Sequence, residues 1–176
     1  MDFSIPQAFI EEMDRFNLFL KKNMVSKLSK WYRDREIPRS FFREMGQEGW
    51  FGIYLKENEL TQYSALRSEL IVERLASVSP GVAVAMLAHV DLGLMALYLF
   101  GSGRLKNYYG KSAVQGQTLI CLGNSESSAG SDVANIAMTA EKVEGGWLIN
   151  GTKAFITNGL ISDLAVITAV SDARAS

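Results

Sequence analysis

The sequence predicts an α+β fold, with an all-helical N-terminal domain followed by an antiparallel β domain that forms an incomplete barrel or sandwich. Three observations carry this expectation. Apolar residues in the first two thirds recur at helical spacings, with Ser, Pro and Gly at the segment ends. Near Gly116 the pattern changes to short β-like runs separated by Gly-Gly and Asn-Gly. Hydrophobic residues make up 48% and charged residues 21% of the 176, ordinary globular usage and enough for a real core.

Ser4 with Gln7 forms a capping box, and Pro6 suits a first turn. Phe9, Met13, Phe16 and Leu20 follow at spacings of four, three and four, giving one apolar face. Pro38 starts a second, short helix with Phe41, Phe42 and Met45 inward, ending near Gly46 or Gly49. A third runs from about Ser64 to Val78, with Leu66, Leu70, Ile71 and Leu75 as its buried stripe, and Ser79-Pro80-Gly81 breaks it. An apolar helix over 82–100 follows, then Gly101-Ser102-Gly103, then a short helix over about 104–113 carrying Tyr108 and Tyr109. The stretch Gly81 to Phe100 is long enough to span a bilayer. His89 and Asp91 lie in its middle, where they would be costly, so a helix buried in a helical domain is expected rather than a membrane span.

In the second part, Thr118 to Leu122 is a β-like run and Ile136 to Val143 alternates in character. Gly145-Gly146 makes a tight turn, Trp147 to Ile149 returns, and Asn150-Gly151 turns again as a hairpin. Phe155 to Thr157 and Leu164 to Val170 supply further strands, completing a meander. The expected domains are residues 1–116 and 117–176. Sixty residues are marginal for an independent core, and an apolar strand at an edge invites association. The sheet therefore reads as unfinished: either more chain follows or another subunit covers it.

Charge and rare residues exclude several chemistries. The formal net charge is −1, from 18 basic and 19 acidic residues with no basic stripe, so no nucleic-acid partner is expected. Cys121 is the sole cysteine and His89 the sole histidine. No disulfide can form within the chain, which fits a reducing, cytoplasmic compartment. A Cys/His zinc site is not available and no metal is expected. A Ser-His-Asp triad would need His89, which has no nucleophile motif nearby. The opening MDFSIPQ has no positive n-region with an apolar core, so no secretory signal is expected.

Two segments could carry chemistry. Gly123-Asn124-Ser125-Glu126-Ser127-Ser128-Ala129-Gly130-Ser131-Asp132 is a dense run of small polar residues between two strands. It offers hydroxyls and backbone N–H groups suited to an anion nest, but it is neither a Walker motif nor a dinucleotide Gly-x-Gly-x-x-Gly. In Lys153-Ala154-Phe155-Ile156-Thr157-Asn158-Gly159, an aromatic and a hydroxyl two residues apart on a strand would share a face. A flat ring could pack on Phe155 while Thr157 bonds its polar edge. Taken alone, each segment has a plainer reading: a flexible polar loop, and a core phenylalanine followed by a turn.

Order and spacing change the weight of these segments. Ala129-Gly130-Ser131-Asp132-Val133, then Trp147 to Lys153, then Phe155-Ile156-Thr157-Asn158-Gly159 resemble the acyl-CoA dehydrogenase signature. That family usually reads Thr-Glu-Pro-x-Ala-Gly-Ser-Asp and then Ile-Asn-Gly-x-Lys-x-Trp-Ile-Thr-Asn-Gly. Ile37-Pro38 with Phe42, Gly46, Gly49 and Gly52, then Glu73-Arg74-Leu75-Ala76 and Leu99-Phe100-Gly101-Ser102, extend the resemblance over nearly the whole chain.

The resemblance implies FAD as cofactor and α,β-dehydrogenation of an acyl thioester, with hydride passing to flavin N5. Leu122, Asn124 and Ser125 would lie along the isoalloxazine, Ser131 would reach the pyrophosphate region and border the substrate, Phe155 would pack on the flavin, and Thr157 would bond near N5. The catalytic carboxylate would come from outside these residues, so no catalytic residue is expected in this chain. A homodimer or homotetramer and an electron-transfer flavoprotein as partner are also implied. Ser125-Glu126-Ser127 in place of Thr-Glu-Pro, and Phe155 in place of tryptophan, depart from the pattern. They leave open an oxidase, a monooxygenase or a carrier-protein-thioester dehydrogenase on the same fold. A truncated, non-catalytic interaction module is the alternative outside enzymes.

Overall fold

The computed structural model describes residues 4–51, 54–56, 59–61 and 64–171. Gly52, part of the resemblance above, lies outside them, as does part of the loop up to Ser64. The chain forms a helical domain followed by a small β region.

Helix α1 (Gln7–Asn23) buries Met13, Phe16 and Leu20, with Phe9 half-buried, as the spacing predicts. Its start corrects the capping box. Pro6 is the N-cap without a side-chain cap, and Gln7 Nε2 donates instead to Glu11 Oε1 at 3.3 Å. With Ser4 as cap, Ile5 would have to be helical directly before a proline, which sterics disfavour. A 3₁₀ turn (Val25–Lys27) and helix α2 (Leu28–Asp34) follow, neither anticipated, although Val25, Leu28 and Trp31 recur at every third position. Arg35, left-handed at φ 53°, ends α2. Helix α3 (Arg39–Gln47) starts after Pro38 and buries Phe41, Phe42 and Met45. Strands β1 (Tyr54–Lys56) and β2 (Glu59–Thr61) pair antiparallel.

Helix α4 (Ala65–Val78) is capped by the Ser64 hydroxyl, which accepts from Arg67 N–H at 3.3 Å. Leu70, Ile71 and Leu75 are buried, but Leu66 is 44% exposed and Arg67 takes the inward position in its place. Arg67 Nε and Nη2 both donate to Glu12 Oε1, at 2.8 and 2.6 Å, joining α4 to α1. The guanidinium can be buried because a carboxylate meets it there.

The apolar stretch is one helical rod, Pro80–Phe100, made of α5 (Pro80–Leu87), a π segment (Ala88–Leu94) and α6 (Met95–Phe100). Ser79 caps it and Pro80 occupies the first turn. Val82, Met86, Val90, Leu94 and Leu97 all enter the hydrophobic core, while Val84, Leu92, Leu99 and Phe100 stay exposed. After Gly101, Ser102 caps helix α7 (Gly103–Val114).

Strand β3 (Ile120–Gly123) crosses this rod at Gly93, where an added Cβ would lie 2.6 Å from the Ile120 carbonyl oxygen. One turn away, His89 ties the three elements. Its Nε2–H donates to Ala113 O at the end of α7, and Ile120 N–H donates to its Nδ1, both at 3.1 Å. Phe51 and Phe42 meet the ring edge to face, at centroid distances of 4.9 and 6.3 Å.

Strands β4 (Thr139–Val143) and β5 (Gly146–Asn150) form the expected hairpin, turning at Gly145 with φ 81°. The antiparallel meander is otherwise corrected. Strand β6 (Leu164–Ile167) lies parallel to β3, with Ile120 opposite Leu164 and Gly123 opposite Ile167. Val170 also bridges Thr139 in parallel. Asn150-Gly151 makes no hairpin: residues 151–154 carry no strand, and Gly151 sits against Met138. Phe155 to Thr157 is a bend entering a turn, not a strand. Few residues of the β region are buried, so β3 is its main link to the core.

His89 makes the fold acid-sensitive. Burial lowers its pKa from 6.5 to about 4, against the opposing pull of its two backbone hydrogen bonds. The unfolded chain therefore binds a proton first as pH falls, and stability must drop between pH 6.5 and 4. Over that window the loss is on the order of 3 kcal/mol. Urea unfolding should show the slope from pH 6.5 in the wild type, and in His89→Gln a shallower fall confined to the acid end, where Glu126 begins to lose its contribution.

Candidate functional site

The site forms where the loop after β3 meets the segment after β5. Loop residues 124–132 contain a tight turn in which Glu126 N–H donates to Ala129 O at 2.8 Å and Ala129 N–H returns to Glu126 O at 3.3 Å. This turn directs the Glu126 side chain inward. Its Oε2 accepts from Ala137 N–H at 2.7 Å, and its Oε1 accepts from Met138 N–H at 3.0 Å. Oε1 also accepts from Lys153 Nζ at 2.8 Å, the two side chains being 5% and 6% exposed.

Lys153 uses all three of its donors. Besides Glu126, Nζ donates to Asn124 O at 3.0 Å and to Thr168 Oγ1 at 3.2 Å. Thr168 Oγ1 in turn donates to Asn124 Oδ1 at 2.7 Å. Next to Lys153, Ala154 N–H donates to Ser125 O at 2.8 Å. One ammonium thus joins the loop, the segment leading to Phe155, and the end of β6.

Of the six residues singled out from sequence, Leu122 is half-buried in β3, and Asn124 and Ser125 are half-buried within this network. Phe155 follows directly, 95% exposed and left-handed at φ 57°. A non-glycine residue there is strained, and such strain persists only where the surroundings enforce it. The shared-face reasoning for Phe155 and Thr157 fails, because neither lies on a strand. Thr157 is exposed at the head of a turn. Ser131 is exposed, two residues beyond the Glu126–Ala129 turn.

Two clasps hold the turn onto the helical domain. Asn158 Nδ2 donates to Ala85 O in α5 at 2.7 Å. Arg39 pairs with Asp163 and donates through Nη1 to Ile161 O at 2.6 Å, while Leu119 N–H donates to Asp163 Oδ2 at 2.8 Å. Partial burial raises the Asp163 pKa, but the Arg39 and Leu119 bonds outweigh it and hold the carboxyl below its ordinary value.

Sequence reasoning took Glu126 and Lys153 as parts of motifs and gave neither a role. The available signal was weak: Glu126 shares its segment only with Asp132 as a charged residue, and Lys153 is the sole charge in its own. A single ammonium in one segment and two carboxylates in the other are candidates for pairing, which leaves the choice of partner to the structure.

Lys153, followed by the Ala137 and Met138 amides, lowers the Glu126 pKa from 4.5 to about 2. A depressed carboxylate stabilises the fold above its unfolded pKa and loses that contribution as pH falls through the folded one. Amide exchange at Ala137 and Met138 should stay protected at pH 4 and rise as pH approaches about 2. In Glu126→Gln both amides should exchange faster than in the wild type above about pH 2, with the acid step gone.

Family comparison agrees with this architecture. The model described as acyl-CoA dehydrogenase, N-terminal domain, matches residues 8–117, and that of the middle domain matches residues 121–176. The L-prolyl-[peptidyl-carrier protein] dehydrogenase of Serratia sp. (strain ATCC 39006) is 38% identical over 111 residues, 62% of this chain and 29% of that protein. The solved acyl-CoA dehydrogenase from Geobacillus kaustophilus superposes with TM-score 0.90 at 28% identity, over 99% of this chain and 46% of its own. A structure described as the FAD complex of PigA gives TM-score 0.88 at 27% identity, over 98% of this chain and 46% of its own. The chain therefore spans less than half the length of these relatives.

Proposed function

This chain belongs to the acyl-CoA dehydrogenase family, and on that premise we propose that it supplies one wall of an FAD site for α,β-dehydrogenation of an acyl thioester. The observation that carries the reading is the Phe155 ring, fully presented to solvent on left-handed backbone beside the Asn124–Ser125 network. An exposed aromatic held by a strained, fastened backbone suits a flat ring system better than it suits a core.

The residues present fit such a ligand. Phe155 offers an apolar face, and Ser131 and Thr157 offer exposed hydroxyls. Of the two acidic residues in the loop, Glu126 is neutralised by Lys153, and Asp132 is turned to Asn135, whose Nδ2 donates to its Oδ2 at 2.5 Å. In this reading Leu122, Asn124 and Ser125 border the ring system, Phe155 packs on it, Thr157 bonds its polar edge, and Ser131 faces the pyrophosphate and the substrate. FAD, when bound, supplies the hydride acceptor. The chain's own residues orient it and keep water from one side.

Glu126 is no candidate for the base that takes the α-proton. Its pKa of about 2 and its three hydrogen bonds leave it a poor acceptor. Asp163, held low by Arg39, is no better. On family membership, the reading assigns that base to residues other than these 176. Homo-oligomeric assembly, a cytoplasmic location and an electron-transfer flavoprotein as electron acceptor belong to the same proposal and rest on family membership alone.

A carrier-protein thioester in place of the CoA thioester is the second reading. It is favoured by the 38% identity to the relative named for a peptidyl-carrier-protein substrate. Anaerobic bleaching of the bound flavin by matched acyl-CoA and acyl-carrier-protein thioesters separates the two.

The protein isolated from its own cells should be yellow, with flavin absorbance. Phe155→Ala should weaken FAD binding by about two- to tenfold, the worth of one aromatic contact. A colourless, folded protein that ignores added FAD overturns the reading.

A further inference from the structure

We propose that Lys153 is a positioning residue that sets the two flavin-facing segments against each other. This rests on the FAD reading above and assigns a role to a residue that touches no ligand in it.

The geometry is specific. The first segment, Leu122 to Ser131, and the second, Phe155 to Thr157, belong to different parts of the β region. Direct ties between them run through Lys153 and its neighbour: Nζ to Asn124 O at 3.0 Å, Nζ to Glu126 Oε1 at 2.8 Å, and Ala154 N–H to Ser125 O at 2.8 Å. The contact to Thr168 Oγ1 at 3.2 Å adds a third segment, and that hydroxyl fixes Asn124 Oδ1 at 2.7 Å. The Asn124 carbonyl is thus held by the ammonium, and its side chain by the threonine the ammonium holds. Phe155 lies two residues beyond Lys153 and carries the strained φ of 57°. A side chain only 6% exposed, with three acceptors for its three protons, has one arrangement available. Its neighbours inherit that fixity, and a shift here moves the Phe155 ring relative to Asn124 and Ser125.

A purely structural role would lower stability and leave a bound flavin unchanged. A positioning role changes the flavin itself. The test is equilibrium titration with FAD on the natural full-length protein, read by flavin fluorescence, visible spectrum and midpoint potential. Lys153→Met should weaken FAD by about tenfold or more, since hydrogen bonds to charged groups are lost. It should also shift the spectrum and potential of the flavin at saturation. Thr168→Val keeps the ion pair and should give a smaller shift of the same sign, which decides the matter if Lys153→Met does not fold. Leu75→Ala, in the helical core, should lower the melting temperature and change neither reading.

Unchanged affinity, spectrum and potential in the Lys153 and Thr168 variants overturn the positioning role alone. Equal flavin shifts in Leu75→Ala overturn it too, because the effect is then one of general stability. Failure of the wild type to take up FAD removes the underlying reading, and this role with it.

Discussion

The β region depends on one buried ion pair. Glu126 and Lys153 come from loops 27 residues apart, and with their hydrogen bonds they gather the residues around Asn124, Ala137, Lys153 and Thr168. Apolar packing could not do this here, since few residues of the region are buried. A buried pair is a weak source of net stability, because desolvation offsets much of the attraction. What it supplies is selectivity. Leaving either charge without its partner is costly, so alternative arrangements of these loops are disfavoured. The order in space is therefore fixed by polar groups that are fully occupied rather than by hydrophobic area.

The helical domain meets this network by a different route. Its rod must let a strand pass close by, and Gly93 removes the side chain that would block the Ile120 backbone. His89 then uses both ring nitrogens, one as donor and one as acceptor, which requires the neutral ring. The π segment lies at this crossing. Such insertions often mark functional positions, and here the segment carries the histidine that joins α7 to β3. Arg39 and Asn158 repeat the device at the other edge, tying the Asn158–Asp163 turn to α3 and α5. The β region is thus held by polar clasps and by Leu119 and Ile120, which enter the apolar core of the helical domain.

These differences explain what could be read from the sequence. Helical faces such as Met13, Phe16 and Leu20 were legible because burial imposes a period. Serine and proline at helix starts were legible because sterics and capping are local, and Pro6 shows the limit where two local rules compete. The β4–β5 hairpin was legible from Gly145-Gly146. The parallel pairing of β3 with β6 was not, because it depends on contacts 44 residues apart such as Ile120 with Leu164. Asn150-Gly151 misled for a related reason: Lys153 is drawn into the loop, so the chain after it cannot return as a strand. The six candidate site residues could be picked out by resemblance, while the pair that arranges them is visible only in three dimensions.

The placement of Phe155 follows from these constraints together. Lys153 fixes the chain two residues before it, and Asn158 fixes it three residues after, on Ala85 of the rod. Between two anchors so close in sequence, the backbone has little freedom, and a left-handed residue resolves the geometry at the cost of local strain. The ring then has nowhere to bury itself and stands in solvent. A free loop would relax the strain and fold the aromatic inward, gaining apolar burial. Its failure to do so means that the anchors outweigh that gain. On the proposed FAD reading, a ring held outward in this way needs little further ordering when the flavin binds, which lowers the entropic cost of binding.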